Sequence, residues 1–411
     1  MNDTPRDTSK SYVTHLECSA TGERHDAGRL HGLSRAKMPL LVRYDLEAVR
    51  KAVSREALAK RPFDMWRFRE LLPVPPGAEI VSLGEPATPL VRLSGLAGIE
   101  GAEVLVKDEG RLPTGTFKAR GLAMAITMAK AFGVERIAVP TSGNAGSAAA
   151  AYAARAGLEA FVFTPEDTDE ITLREIGFHG AKVHRVNGFI NHCAKVVREG
   201  ASAMGWHDLS TLEEPYRVEG KKTMGLELAE QLGWDVPDAI FYPTGGGTGL
   251  VGMWKAFAEL EAIGVIGSKR PRMVSVQSTG CAPIVRAVEA GKDRLDGPWE
   301  NPTTTIHGFR SPGPIGARLI LQAIRESNGF GVAVEDEAAY AARAEVAAAT
   351  GLNLCPEGGA LLVACRQALA QGRIRKGARV VLFNTASGLK YPMPPVTRSL
   401  DHTKPVDYGR L

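Results

Sequence analysis

A lysine that works as a nucleophile must lose its proton near neutral pH, and taking its ammonium out of water achieves that. Lys118 has such a setting. It follows the turn Pro113-Thr114-Gly115 and the aromatic Phe117, and it leads into an apolar-periodic stretch. A free amine there can form a Schiff base with a carbonyl compound. Taken alone, the pattern also describes an ordinary surface lysine at a helix start. Three further clusters follow it in the chain. Ser142-Gly143-Asn144-Ala145-Gly146 opens a helical pattern, so its N–H groups and hydroxyl can hold an anion such as a carboxylate. A plain helix cap has the same appearance. Thr244-Gly245-Gly246-Gly247-Thr248-Gly249 lets backbone N–H groups approach a phosphate, although any βα turn can be glycine-rich. Thr385-Ala386-Ser387-Gly388 offers a neutral hydroxyl to a heterocyclic nitrogen, or is a simple loop.

Other chemistries fit less well. The glycine loop is not followed by the acidic residue that a dinucleotide site places on its next strand; Gln277 stands about there. No Walker lysine follows the loop, so a single phosphate anchor fits it better. The nine histidines show no ligand spacing, and no Cys-x-x-Cys pair occurs, so no metal site is assigned. The five cysteines are scattered and odd in number, which points to reduced thiols and a cytoplasmic location.

The elements that must position these clusters follow an alternating rhythm. Strands are expected at 40–44, 104–107, 137–140, 160–163, 182–186, 239–242, 272–276 and 379–383. Helices are expected at 46–59, 122–132, 145–156, 250–260, 340–349 and 359–371. Residues 1–35 read as polar and turn-rich. The βαβα order predicts an α/β protein with mostly parallel sheets covered by helices on both faces. Ligands in such folds bind at the C-terminal ends of strands.

Composition adds bounds. A chain of 411 residues with 44% hydrophobic and 23% charged residues is an ordinary globular protein of one large domain or two. A net charge of +4 without a basic block gives no case for nucleic acid. Residues 1–10 are polar and do not read as a secretory signal. No apolar run approaches the roughly 20 residues of a membrane span.

In their order, the four clusters resemble the cofactor cradle of fold type II pyridoxal phosphate enzymes, the tryptophan-synthase-β type. Over nearly the full length the chain resembles threonine synthases. Leu41-Val42-Arg43-Tyr44-Asp45, Glu219-Gly220-Lys221-Lys222-Thr223 and Gly388-Leu389-Lys390 look like further signatures of that family. The resemblance implies two domains with the cofactor in the cleft between them. It divides the chain into an N-terminal module 1–70, a large domain 71–122 with 236–411, and a small domain 123–235. It makes Lys118 the Schiff-base lysine, next to Phe117, and brings Asn144 to the cofactor's phenolic oxygen. Gly245, Gly246, Gly247 and Thr248 would hold the cofactor phosphate, and Thr385 would face the ring nitrogen. Thr141, Ser142, Gly143 and Arg217 become the substrate-binding candidates, for an amino-acid substrate in a homodimeric enzyme.

The chain also departs from the family. Ala119 stands where threonine synthases carry an acid, in a Phe-Lys-x-Arg-Gly pattern closer to the dehydratases. Ala145, Thr211, Leu212 and Gly246 stand where the family has polar groups around the phosphate of O-phosphohomoserine. Arg217 is retained. The resemblance therefore implies a lyase that converts O-phospho-L-homoserine and water to L-threonine and phosphate. The thinned phosphate site keeps open a β-eliminating ammonia-lyase of the threonine/serine dehydratase type. It also keeps open a β-replacement enzyme of the cysteate or cysteine synthase type. A non-catalytic cofactor-binding protein is disfavoured by the intact cradle.

Overall fold

The computed structural model describes residues 10–393 and 399–410. Residues 1–9, 394–398 and 411 lie outside the described residues. Two sheets carry the clusters. The larger has six strands in the order Phe330–Val334, Arg272–Ser278, Ala239–Pro243, Arg379–Asn384, Glu103–Asp108 and Leu90–Arg92. Its first five strands are parallel, and Leu90–Arg92 closes the edge antiparallel. All five residues of Ala239–Pro243 are buried, as a central strand covered on both faces requires. The smaller sheet is all parallel, in the order Lys182–Val186, Glu159–Pro165, Arg136–Pro140 and His207–Asp208.

Three helices pack in series. Lys118–Ala131 is buried from Ala119 to Ala129, and its apolar residues join the core of the smaller sheet. Tyr216–Gln231 belongs by sequence to the 123–235 segment, yet Val218, Met224 and Leu228 pack into the core of the six-stranded sheet. It lies against Thr248–Ala262. Glycine makes the crossing of the first two possible: a Cβ on Gly220 would lie 2.1 Å from the Arg120 carbonyl oxygen. Close approach of this kind locks the helix that begins at Lys118 to its neighbour.

A buried ion cluster fixes the same helix. Arg120 Nε donates to Glu109 Oε2 at 2.7 Å, and its Nη1 lies 3.0 Å from Glu227 Oε2. Lys107 pairs with Glu227 from the other side. Removing Arg120 leaves the buried Glu109 carboxylate without a cation and takes one of two cations from Glu227. Arg120→Ala is expected to lower stability by about 3–5 kcal/mol, read as the midpoint of denaturant unfolding. A loss below about 1 kcal/mol would show that the cluster is not what holds the helix.

The structure corrects several sequence expectations. Residues 1–35 read as turn-rich, but Val13–Cys18 and Arg24–His25 are strands that pair with Leu40–Tyr44 in a third, antiparallel sheet. Leu16 and Cys18 alternate inward, a short period-two signal among polar residues. The single helix expected over 46–59 is two, Leu46–Ala52 and Arg55–Ala59. Ser54 stops the first and caps the second by accepting from the Ala57 N–H. The helix expected over 122–132 starts at Lys118, four residues earlier.

Candidate active site

All four clusters meet at one cleft. The turn before Lys118 follows strand Glu103–Asp108, Thr385 follows Arg379–Asn384, and the glycine loop follows Ala239–Pro243. These three strands are neighbours in the large sheet, so their C-terminal ends converge. Ser142-Gly143-Asn144 follows Arg136–Pro140 of the small sheet and faces them. Together they line a cavity of about 350 Å³. It contains Phe117, Lys118, Thr141, Ser142, Gly143, Asn144, Gly245, Gly246, Gly247, Thr248 and Thr385 of the sequence candidates.

Lys118 is the first residue of its helix and its amine is buried. Desolvation brings its pKa down to about 8; the Arg217 charge adds to the effect and the Glu357 carboxylate opposes it. Its Nζ lies 4.6 Å from the centre of the Phe117 ring. Lys221 sits against that ring too, at 3.9 Å, and donates to the Phe117 carbonyl. The Phe117 N–H donates to the Thr385 carbonyl at 2.9 Å, and the Ser387 N–H to the Gly115 carbonyl at 2.8 Å. The lysine turn and the Thr385 loop are thus stitched together by backbone bonds.

Two helix starts open on the cavity. Neither Asn144–Ala156 nor Thr248–Ala262 has a side-chain cap at its N-terminus. Uncapped N–H groups and the helix dipole favour an anion at each. At the second, two of the glycines are obligatory. Gly247 has φ +71°, and a Cβ there would lie 2.1 Å from Ile320 Cδ1; one on Gly245 would lie 2.3 Å from the Gly308 carbonyl oxygen. A backbone cradle with no room for side chains is what a phosphate anchor requires, so the residues fit pyridoxal phosphate. Thr141 shapes the first loop, with its hydroxyl 3.0 Å from the Gly143 N–H as acceptor.

Arg217 is placed differently from the other candidates. It is buried, its Nη1 donates to the Leu209 carbonyl at 2.7 Å, and it is not among the residues lining the cavity. Its first-turn position on Tyr216–Gln231 aims it at that carbonyl, beside Glu214, whose pKa burial raises to about 7. Ala119 and Leu212 are likewise core residues outside the cavity wall, while Ala145, Thr211 and Gly246 line it. Sequence reasoning missed His307, Arg310, Glu357 and Tyr391 and named Lys390 only within a family signature; all five line the cavity. Arg310 pairs with Asp167 at 2.8 Å, and Lys390 with Glu175. The signal was present for three of them: 307–315 is a Gly/Pro-rich loop carrying a histidine and an arginine, and Pro356 with Gly358 and Gly359 marks a helix start around Glu357.

Fold and cleft together define a fold type II pyridoxal phosphate enzyme. Comparison with known proteins agrees. The family model "Pyridoxal-phosphate dependent enzyme" matches residues 81–386. Threonine synthase of Methanocaldococcus jannaschii is 34% identical over 392 residues, 94% of this chain and 95% of that protein. Threonine synthase of Methanosarcina acetivorans is 33% identical, covering 92% of each. Among solved structures, a threonine deaminase from T.th. superposes with a TM-score of 0.61 at 25% identity, over 75% of this chain and 94% of that one. Maize serine racemase superposes at 0.63 with 20% identity, over 74% and 88%, which speaks for the fold alone. The chain belongs to the pyridoxal-phosphate-dependent enzyme family, on its threonine synthase-like branch, and is a lyase dependent on that cofactor.

Proposed function

We propose that this lyase converts O-phospho-L-homoserine and water to L-threonine and phosphate. The observation that carries the reading is a guanidinium and an ammonium, Arg310 and Lys390, lining the same cavity as Ser142, Ser210 and Thr211. Arg310, rather than Arg217, is the guanidinium available there. Its partner Asp167 is 52% exposed, and so exposed a pair contributes about 0–1 kcal/mol. A substrate phosphate, held through two parallel N–H bonds, can displace it.

Pyridoxal phosphate, when bound, supplies the electron sink that makes the α-proton of an amino acid removable. Lys118 Nζ takes that proton, and burial keeps enough of it neutral near pH 8 to do so. The N–H groups at Ser142-Gly143-Asn144 hold the substrate carboxylate. The N–H groups from Gly245 to Thr248 hold the cofactor phosphate. Thr385 would offer the ring nitrogen a neutral hydroxyl, which would leave that nitrogen mostly neutral and suit elimination better than transamination. The reading includes a cytoplasmic homodimer. The five cysteines, all free and buried, support a reducing compartment, and light scattering on the purified protein tests the dimer.

One observation favours the second reading, an ammonia-lyase or β-replacement enzyme acting on a β-substituted amino acid. Glu357 lines the same cavity, is 4% exposed, and its Oε2 has no hydrogen-bond partner. A carboxylate left over in the cleft suits a substrate side chain that donates a hydrogen bond better than one carrying a second dianion. A substrate panel scored separately for phosphate and ammonia decides. On the first reading O-phosphohomoserine releases phosphate and yields threonine, and Arg310→Ala raises KM about tenfold, the loss of one charge-assisted contact. Ammonia from serine, threonine or a β-substituted relative, with no phosphate released from O-phosphohomoserine, would install the second reading.

A further inference from the structure

Three side chains from three separate segments form a chain along the cavity wall. Asn144 Nδ2 donates to the Tyr391 hydroxyl at 3.3 Å, and that hydroxyl donates to Glu357 Oε1 at 3.3 Å. The direction of the chain is fixed by chemistry at one end. The Tyr391 hydroxyl donates its single proton to the Glu357 carboxyl oxygen. The phenol oxygen is then left with lone pairs alone for Asn144, and it can meet the amide's NH2 but not its oxygen. Burial and the Glu357 charge both push the Tyr391 pKa well above its ordinary value, so the phenol keeps the proton it donates. Glu357 has no slack: a Cβ on Gly308 would lie 2.2 Å from its Oε1. One N–H of the Asn144 amide is engaged by Tyr391, and the other remains for the cavity.

We propose that Tyr391 and Glu357 are positioning residues that fix the Asn144 amide with its free N–H toward the cavity, ready to donate to the phenolic oxygen of pyridoxal phosphate. Without them the amide is free to turn over and present its oxygen, which repels a phenolate instead of holding it. The arrangement acts on the cofactor, so it stands whichever amino acid is the substrate. It does rest on Asn144 lying beside that phenolic oxygen.

The test is the absorbance of the holoprotein at one fixed pH, with no substrate present. The bound cofactor has a long-wavelength band when its phenolic oxygen is charged and a short-wavelength band when it is neutral. Asn144→Ala should lower the ratio of long to short band about fivefold, the change one net hydrogen bond makes. Tyr391→Phe and Glu357→Leu should lower it in the same direction. In the Asn144→Ala background, Tyr391→Phe should add nothing, because its effect runs through the amide. Circular dichroism confirms that each variant is folded, and if Tyr391→Phe is not, Glu357→Leu serves in the same cycle. A wild-type ratio in the folded Tyr391 or Glu357 variant overturns the proposal, and so does a Tyr391 effect that persists undiminished without Asn144. An unchanged ratio in Asn144→Ala itself overturns the placing of the amide at the phenolic oxygen. None of these outcomes depends on whether O-phosphohomoserine is turned over.

Discussion

Lys118→Ala is expected to abolish the borohydride-reducible attachment of pyridoxal phosphate and to lower turnover by about 10²–10⁴-fold, the contribution of a positioned acid–base group. The reason is structural. Lys118 is the only cavity-lining lysine without a carboxylate partner among the described residues, since Lys390 is held by Glu175. Its neighbour Lys221 is committed to the Phe117 carbonyl. A pH signature accompanies the loss. The amine attaches only in its neutral form, and burial has lowered its pKa to about 8. Cofactor uptake by the wild-type apoprotein should therefore speed up as pH rises through about 8 and level off above it. A reduced cofactor–lysine peptide recovered at normal yield from the variant would show that another lysine carries the cofactor.

Gly246→Asp is the second large effect. Gly246 lines the cavity between two glycines whose Cβ positions are already filled by neighbouring atoms. At Gly246 itself an added Cβ would lie 3.0 Å from Thr211 Cγ2, tight but accommodated by a small shift. The variant should fold. Its carboxylate would face the anion cradle at the start of Thr248–Ala262, and like charges brought together lose several kcal/mol. Pyridoxal phosphate affinity should fall by about 100-fold or more, measured by titrating the apoprotein with cofactor. An unchanged dissociation constant in a folded variant would place the cofactor phosphate away from this loop.

Much of the frame was legible because periodicity reports burial. The strands expected at 182–186 and 239–242 appear as Lys182–Val186 and Ala239–Pro243, and the alanine-rich helices at 145–156 and 340–349 appear as Asn144–Ala156 and Asp336–Thr350. Elements whose stability comes from distant partners were harder to see. Val13–Cys18 is a strand only because Leu40–Tyr44 lies beside it. Tyr216–Gln231 buries five charged residues, among them Glu219, Lys221 and Lys222, which no amphipathic pattern predicts. Glu219 and Lys222 pair with each other, and their further partners come from elsewhere: Lys255 and Glu259 for these two, the Phe117 carbonyl for Lys221.

The sequence by itself determined the local chemistry of the site. Backbone conformation and residue type are local, so a lysine after a tight turn, two glycine- or serine-rich helix starts and a hydroxyl loop could be recognised where they stand. Their order identified the cofactor. Only the tertiary structure decided which charges face the cavity. Arg217 looked like a ligand-binding arginine; it is buried with one N–H on the Leu209 carbonyl, and is not among the residues lining the cavity. Arg310 and Glu357 carried only a loop and a helix-start signal and Tyr391 none, and they reach the cavity because loops far apart in sequence converge on the strand ends. A side chain's direction depends on how its helix or loop is rotated against its neighbours, and that rotation is set by packing across the whole core.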